Sequence, residues 1–272
     1  MASFQYNNLS VNFVTQGVGP AVILLHAGGS SSAQWRKTAA ALEESFRLIM
    51  PDFIGYGRTD NWIGPEPPSH DDQANMIAAL VEQECDGPIH IVAHSFGGAV
   101  AARLVLSRPD LLRRLVLIEP VLTPLLNLAG RQDVFAEYRN LAETFIDNAR
   151  SGREVSAWRY FIDYRNGAGS WDNLSDEARE RFLAGTNQVV ETYLANLANP
   201  TTLEDCRTIV APTLIVCGEK TTEPDRIVTE ILYRELPNGR YHILPGAEHM
   251  SPLTHPDIVA AAVRGHLKDE ED

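Results

Sequence analysis

Along the chain, short runs of apolar and β-branched residues alternate with longer stretches whose apolar positions recur every three or four residues. AVILLHA, FRLIMPDF, IHIVAH, RLVLIEP and TLIVCG are nearly continuous in apolar character, and RYHILPG closes the series. Runs of this kind are strands buried on both faces of a sheet, since a half-exposed strand alternates polar with apolar. FQYNN and LSVNFVTQG do alternate, and they predict an opening antiparallel pair. Between the runs lie amphipathic helices. Met76, Ile77, Leu80 and Val81 share one face, as do Ile227, Val228, Ile231 and Leu232. Val259, Ala262, Val263 and His266 continue the pattern near the C-terminus. Strand–helix alternation predicts an α/β fold with a mostly parallel sheet flanked by helices.

One interval departs from this rhythm. From Val121 to Val210 no strand-like run occurs, and helices are expected over 132–149, 154–165, 175–184 and 188–198. Ser175, followed by Asp176 and Glu177, has the form of a helix start, with an N-cap and first-turn acids. The expected organisation is a core made of residues 1–120 and 211–272, with a helical cap over 121–210. The cap is expected above the C-terminal edge of the sheet, where ligands bind in such folds.

Composition narrows the function classes. With 23 Lys and Arg against 36 Asp and Glu, the net charge is −13. That balance argues against nucleic acid and against anionic membrane as partners, because both need clustered cations. Cys85, Cys206 and Cys217 are too few and too scattered for a disulfide framework or a metal site. The opening MASFQYNNLS lacks a basic segment followed by an apolar one, so a cytoplasmic protein is expected. No metal or organic cofactor is implied, and the partner expected is a small molecule.

The chemistry concentrates in IHIVAHSFGGAVAARLVL, which reads as strand, tight turn and helix. The turn His94-Ser95-Phe96-Gly97-Gly98 holds a serine at the tip of a sharp bend, with small neighbours that let strand and helix approach. The helix that follows aims its positive end at that hydroxyl, which favours a developing anion. Ser95 is therefore the candidate nucleophile.

With this element in place the chain resembles the α/β-hydrolases over nearly its whole length. VILLHAGGSSSAQW resembles their oxyanion-loop segment, PDFIGYGRTD the loop after the fourth strand, and PGAEHMSPLTHP the histidine segment. FIDYRNGAGSW and LIEPVL resemble an uncharacterised bacterial branch. The family frame implies an eight-stranded sheet with the cap inserted after strand six. It departs from the family's pattern at Ala93, which replaces the first glycine of the elbow, and at His26-Ala27, where His-Gly is usual. The resemblance assigns His249 as the general base, a loop position at the sheet edge suited to proton transfer. It assigns the oxyanion donors to the backbone N–H groups of Gly28 and Phe96. His26 is expected beneath the oxyanion loop. His94 is expected on the far side of its strand, His255 at a helix start, and Tyr56 and Arg58 within their own loop.

The acid is the difficulty. GEKTTEPD follows the strand APTLIVC, and the family's aspartate position holds Thr221. Asp225 and Glu223 lie nearby but have the ordinary role of first-turn acids in the next helix. Glu119, at the end of RLVLIEP, is the better candidate. A carboxylate at the end of an apolar strand is costly without a partner. Haloalkane dehalogenases, relatives within the superfamily, carry their acid at this place. The expected triad is Ser95, Glu119 and His249, with Asp225 or Glu223 as alternative acids. A serine nucleophile suits acyl chemistry rather than dehalogenation. Trp158 and Trp171 are candidates for an apolar pocket roof.

The expected activity is hydrolysis of a small ester, lactone or thioester through an acyl-enzyme, on an apolar or uncharged acyl compound. A carbon–carbon bond hydrolase or an acyltransferase would use the same triad. A ligand-binding or scaffold protein with little turnover is the alternative from a different class, and Thr221 is its main support.

Overall fold

The computed structural model describes residues 2–268. Its strands are β1 (Ala2–Tyr6), β2 (Leu9–Gln16), β3 (Ala21–Leu25), β4 (Arg47–Pro51), β5 (Ile89–His94), β6 (Leu112–Ile118), β7 (Thr213–Gly218) and β8 (Gly239–Leu244). They form one sheet in the order β1-β2-β4-β3-β5-β6-β7-β8. β1 pairs antiparallel with β2, and β2 with β4; every later pairing is parallel. The β1–β2 hairpin turns on Asn7 and Asn8, both at positive φ, a conformation asparagine tolerates in two-residue turns. β2 alternates buried and half-buried residues, whereas β5 and β7 are buried throughout. That difference reproduces the contrast between the alternating and the continuous runs in the sequence.

Helices cover both faces. They are α1 (Arg36–Leu42), α2 (His70–Glu84), α3 (Phe96–Ser107), α4 (Pro124–Leu128), α5 (Gln132–Arg150), α6 (Glu154–Asn166), α7 (Asp176–Ala184), α8 (Thr186–Leu197), α9 (Leu203–Thr208), α10 (Glu223–Glu235), α11 (Ser251–Thr254) and α12 (Pro256–Lys268). Ile23, Ile91, Leu117 and Ile215 face one core with α2, α3 and α10. Their neighbours Leu24, Val92, Val116 and Val216 face the other, with Trp35, α1 and α12. Successive side chains on each strand thus enter opposite cores. Each fully buried Leu or Ile contributes on the order of 2 kcal/mol by leaving water.

Helices α4 to α9 lie between β6 and β7, so the helical interval is inserted after the sixth strand. It builds a core of its own from Tyr138, Phe145, Trp158, Ile162, Val189 and Tyr193, among others. Ser175 caps α7 by accepting from the Ala178 N–H, as the local sequence predicts. α4 and α9 are short helices that sequence periodicity does not reveal. Among the described residues, no helix is long and apolar enough to cross a membrane.

Candidate active site

The register of four parallel strands assembles the site. Leu25 of β3 pairs with Ala93 of β5, and His94 of β5 pairs with Ile118 of β6. The residues just beyond these strand ends, including Ser95 and Glu119, therefore emerge side by side on one edge. β6 pairs Ile118 with Val216 of β7, which brings Gly218 beside Glu119.

Ser95 sits at φ 56° and ψ −119°, in a strained conformation that tips its side chain out of the β5–α3 turn. The turn closes only because its neighbours are small. A Cβ on Gly97 would lie 2.6 Å from the carbonyl oxygens of Leu25 and His26. One on Gly98 would lie 2.5 Å from Pro120 Cβ. Glycine at both positions lets α3 start hard against β3 and the β6 end. Ala93 is fully buried in the strand and disturbs none of this.

His249 lies between β8 and α11. Its Nε2 stands 3.0 Å from Ser95 Oγ, and its Nδ1 stands 2.7 Å from Glu119 Oε2. The carboxylate accepts from Nδ1–H, which leaves Nε2 as the acceptor for the serine hydroxyl. Glu119 is wholly buried and, like Ser95, adopts positive φ (41°). Its other contacts are a 2.6 Å bond from the Gly218 N–H and a 2.7 Å bond from the Thr221 hydroxyl. These donors offset the cost of burying its charge. Thr221, at the family's aspartate position, thus donates to Glu119 and not to the ring.

The two alternative acids part company. Glu223 is half exposed and pairs with Arg131 and Arg226, away from the histidine. Asp225 is buried, with Oδ2 3.6 Å from His249 Nδ1. It also accepts from Thr222 Oγ1 at 2.6 Å and forms an ion pair with Arg165, which reaches down from α6 of the insertion. Burial works against the Asp225 carboxylate, yet Arg165 and then His249 outweigh it and hold its pKa below the ordinary value. Glu119, Asp225 and His249 offer donor atoms within 4.8 Å of one another. Arg165 supplies a cation to this cluster, and Glu119 already holds three hydrogen-bond donors.

The segment after β3, the candidate oxyanion loop, is equally well anchored. The Ala27 N–H donates to Gln34 Oε1 at 3.1 Å, and the Ser30 N–H to the Ala27 carbonyl at 3.3 Å. The Ser32 N–H donates to Asp52 Oδ1 at 2.7 Å. His26 is fully buried beneath, with Nδ1–H donating to the Ala27 carbonyl and Nε2 accepting from the Phe53 N–H. At the start of α3, the Gly97 N–H donates to the His26 carbonyl and the Gly98 N–H to the Ser95 carbonyl. The Phe96 N–H precedes them as a first-turn donor that the helix itself does not use.

Several residues stand elsewhere than the sequence predicts. His94 is turned away from Ser95 but comes to rest under His249: its Nε2–H donates to the His249 carbonyl at 2.8 Å, and the rings are 5.0 Å apart. Burial and then the His249 charge push its pKa well down, so it is a neutral support. Tyr56 does not serve only its own loop. Its hydroxyl donates to the Gln188 carbonyl at 2.8 Å and meets Thr192 Oγ1, tying the loop to α8. Trp171 is buried in the core of the insertion, against Phe182. Trp158 is also buried there, with Nε1–H donating to Thr186, but its ring edge reaches the oxyanion loop, 3.7 Å from where a Gly29 Cβ would stand.

The insertion presses closely on the site. A Cβ on Gly28 would lie 2.8 Å from Thr192 Cγ2, and one on Gly29 3.3 Å from Val189 Cγ2. The space remaining among Tyr56, Phe96, Gln188 and Thr192 is a cavity of about 10 Å³, room for one water. Sequence reasoning missed Arg165, Thr192 and the new role of Thr221. A lone arginine in FIDYRNG carries no periodic signal, and the contacts of all three depend on packing between distant segments.

The chain is similar to known proteins in sequence and in fold. The family described as "Alpha/beta hydrolase family" matches residues 22–262. The chain is 25% identical over 267 residues to the pimeloyl-[acyl-carrier protein] methyl ester esterase of Aeromonas salmonicida (strain A449), covering 94% of this chain and 98% of that protein. It is 39% identical over 103 residues to Lipase LipV of Mycobacterium tuberculosis, a match that spans 38% of each chain. The solved structure of MGS-M2, an alpha/beta hydrolase enzyme from a Medee basin deep-sea metagenome library, superposes with a TM-score of 0.80 at 17% identity. That superposition covers 100% of this chain and 98% of the other, and at such identity the likeness is one of fold.

Proposed function

Because this chain belongs to the alpha/beta hydrolase family, we propose that it is a serine hydrolase cleaving a small ester, lactone or thioester through an acyl-enzyme. The observation that carries this reading is the continuous relay from Glu119 Oε2 to His249 Nδ1 at 2.7 Å and from His249 Nε2 to Ser95 Oγ at 3.0 Å. Ser95 Oγ attacks the carbonyl carbon while its proton passes to His249 Nε2. The carbonyl oxygen becomes an oxyanion, and the Phe96 and Gly28 N–H groups receive it at the positive end of α3. His249 then returns the proton to the leaving oxygen or sulfur, and the acyl group stays on Ser95. Water reverses the sequence with the same histidine as base. Glu119 remains ionised throughout and stabilises the imidazolium.

The proposed acyl group is uncharged: the space near Phe96 is lined by Ile54, Tyr56, Pro68, Gln73, Gln188, Thr192 and the acidic Glu191, so it offers an anion no cation. The insertion acts as a cap, since α8 packs over the segment after β3: Thr192 stands against Gly28 and Val189 against Gly29. The names of two relatives, a lipase and a methyl ester esterase, support ester cleavage as the reaction type.

The test is hydrolysis of p-nitrophenyl butyrate by the wild type, Ser95→Ala and His249→Ala. Both variants are expected to lose at least ~10³ in kcat. A Ser95→Ala protein that keeps the wild-type rate would sink the proposal.

A further inference from the structure

The relay described above uses one carboxylate, yet a second stands beside the same histidine. Asp225 Oδ2 is 3.6 Å from His249 Nδ1, against 2.7 Å for Glu119 Oε2. Two buried carboxylates at one imidazole are a costly arrangement unless a cation neutralises one of them. Arg165 is that cation. Its side chain is 8% exposed and that of Asp225 is 1% exposed, so the pair is shielded from water. Buried ion pairs of this kind contribute little net stability, and an apolar pair of the same size would serve packing as well. The Arg165 Nε is buried without an acceptor, and the guanidinium otherwise rests over the Phe161 ring, 5.7 Å from its centroid. Packing alone therefore does not account for Arg165.

Resting on the hydrolase reading of the site, we propose that Arg165 is a positioning residue of the catalytic histidine, holding Asp225 in an ion pair so that Glu119 alone orients the ring. Arg165 stands on the insertion, whereas Asp225 and His249 belong to the sheet domain. The basicity of His249 is thereby tied to the seating of α6.

The charged and titratable surroundings define what a change does. β5 brings neutral His94 beneath the ring, and β6 brings Glu119. Cys217 of β7 lies near both carboxylates, and burial pushes its thiol up, so it stays neutral. From the insertion, Tyr138, Tyr164 and Tyr193 surround the guanidinium, and burial likewise keeps all three protonated. The full charges at the site are then Glu119, Asp225 and Arg165. Removing the arginine leaves two uncompensated anions facing the imidazolium and stabilises it. Removing the Asp225 charge leaves an uncompensated cation and destabilises it. The two substitutions act with opposite sign.

The experiment follows the His249 titration by NMR on protein labelled at histidine Cε1, with the resonance identified by its loss in His249→Gln. Arg165→Met is expected to raise the midpoint by about one pH unit or more, and Asp225→Asn to lower it by a similar amount. The double variant is expected between them. In active protein the acid limb of the kcat/KM profile should move the same way. A purely structural role would lower activity in both single variants without splitting the midpoints. The proposal is overturned if both midpoints move in one direction or stay within ~0.3 unit of wild type. Should Arg165→Met fail to fold, Asp225→Asn and the double variant still decide. The titration needs no turnover, so a split in a protein inert toward esters would sustain this inference while defeating the hydrolase reading.

Discussion

Glu119→Gln is the most informative single change at the relay. Glutamine keeps the size and can still accept from the Gly218 N–H, now 2.6 Å from Oε1. Its amide nitrogen then faces two donors, His249 Nδ1–H and the Thr221 hydroxyl, each 2.7 Å from the present Oε2. The ring relieves this clash by moving its proton to Nε2, and Nε2 can then no longer accept from Ser95. The imidazolium also loses an anion at 2.7 Å, worth about 6 kcal/mol at an effective dielectric of ~20. Asp225 returns part of that stabilisation from 3.6 Å, although Arg165 already engages it. The corresponding Asp→Asn change in a serine protease, a worked case in another protein, costs ~10⁴. With Asp225 in reserve, a loss of ~10²–10³ in kcat is expected here, about 3–4 kcal/mol of barrier. The assay is steady-state p-nitrophenyl butyrate hydrolysis, with circular dichroism and Tm to verify the fold. A folded variant within about threefold of wild type would refute the assignment of Glu119 as the acid.

Other changes test the surrounding supports. Thr221→Val removes one hydrogen bond to a charged acid, so kcat should fall about five- to tenfold in the same assay, with Tm lowered slightly. Gly28→Ala drives a methyl to 2.8 Å from Thr192 Cγ2 and displaces the oxyanion segment; kcat should fall at least ~10-fold, and Thr192→Ala should restore part of it in a double-mutant cycle. Burial lowers the pKa of His26 and of His70 to about 4, below the ordinary value of 6.5. Groups depressed in this way bind fewer protons folded than unfolded. Their contribution is whole above pH 6.5 and is lost as pH falls toward about 4, up to ~3 kcal/mol each. Urea unfolding measured from pH 7 to pH 4 should show stability falling across that window, with a shallower decline in His70→Gln.

What was legible in the sequence follows from how local its cause is. The strands were readable because continuous apolar runs have no other stable place than a sheet covered on both faces. The β5–α3 turn was readable because Gly97 and Gly98 answer a backbone crowding confined to neighbouring strand ends. Glu119 was a candidate on a local argument, the cost of an acid ending an apolar strand, together with the resemblance to haloalkane dehalogenases, and the structure sets it 2.7 Å from His249. The partner of Thr221 was not legible, since its hydroxyl donates to a carboxylate 102 residues earlier in the chain. Arg165 and Thr192 were invisible, because each acts across the contact between the insertion and the sheet edge. Trp171 was placed in a pocket wall on chemistry alone; aromatic residues at helical spacing first satisfy the core of their own helices, as Phe145, Trp158 and Tyr193 also do.

The central claim is that Ser95 is an activated nucleophile. The measurement that tests it most directly is labelling with a fluorophosphonate probe, read by intact mass and by peptide mapping. The account predicts a single adduct on Ser95, formed within minutes and abolished in His249→Ala. Folded protein that stays unlabelled after hours, or that is labelled at another residue, would contradict it.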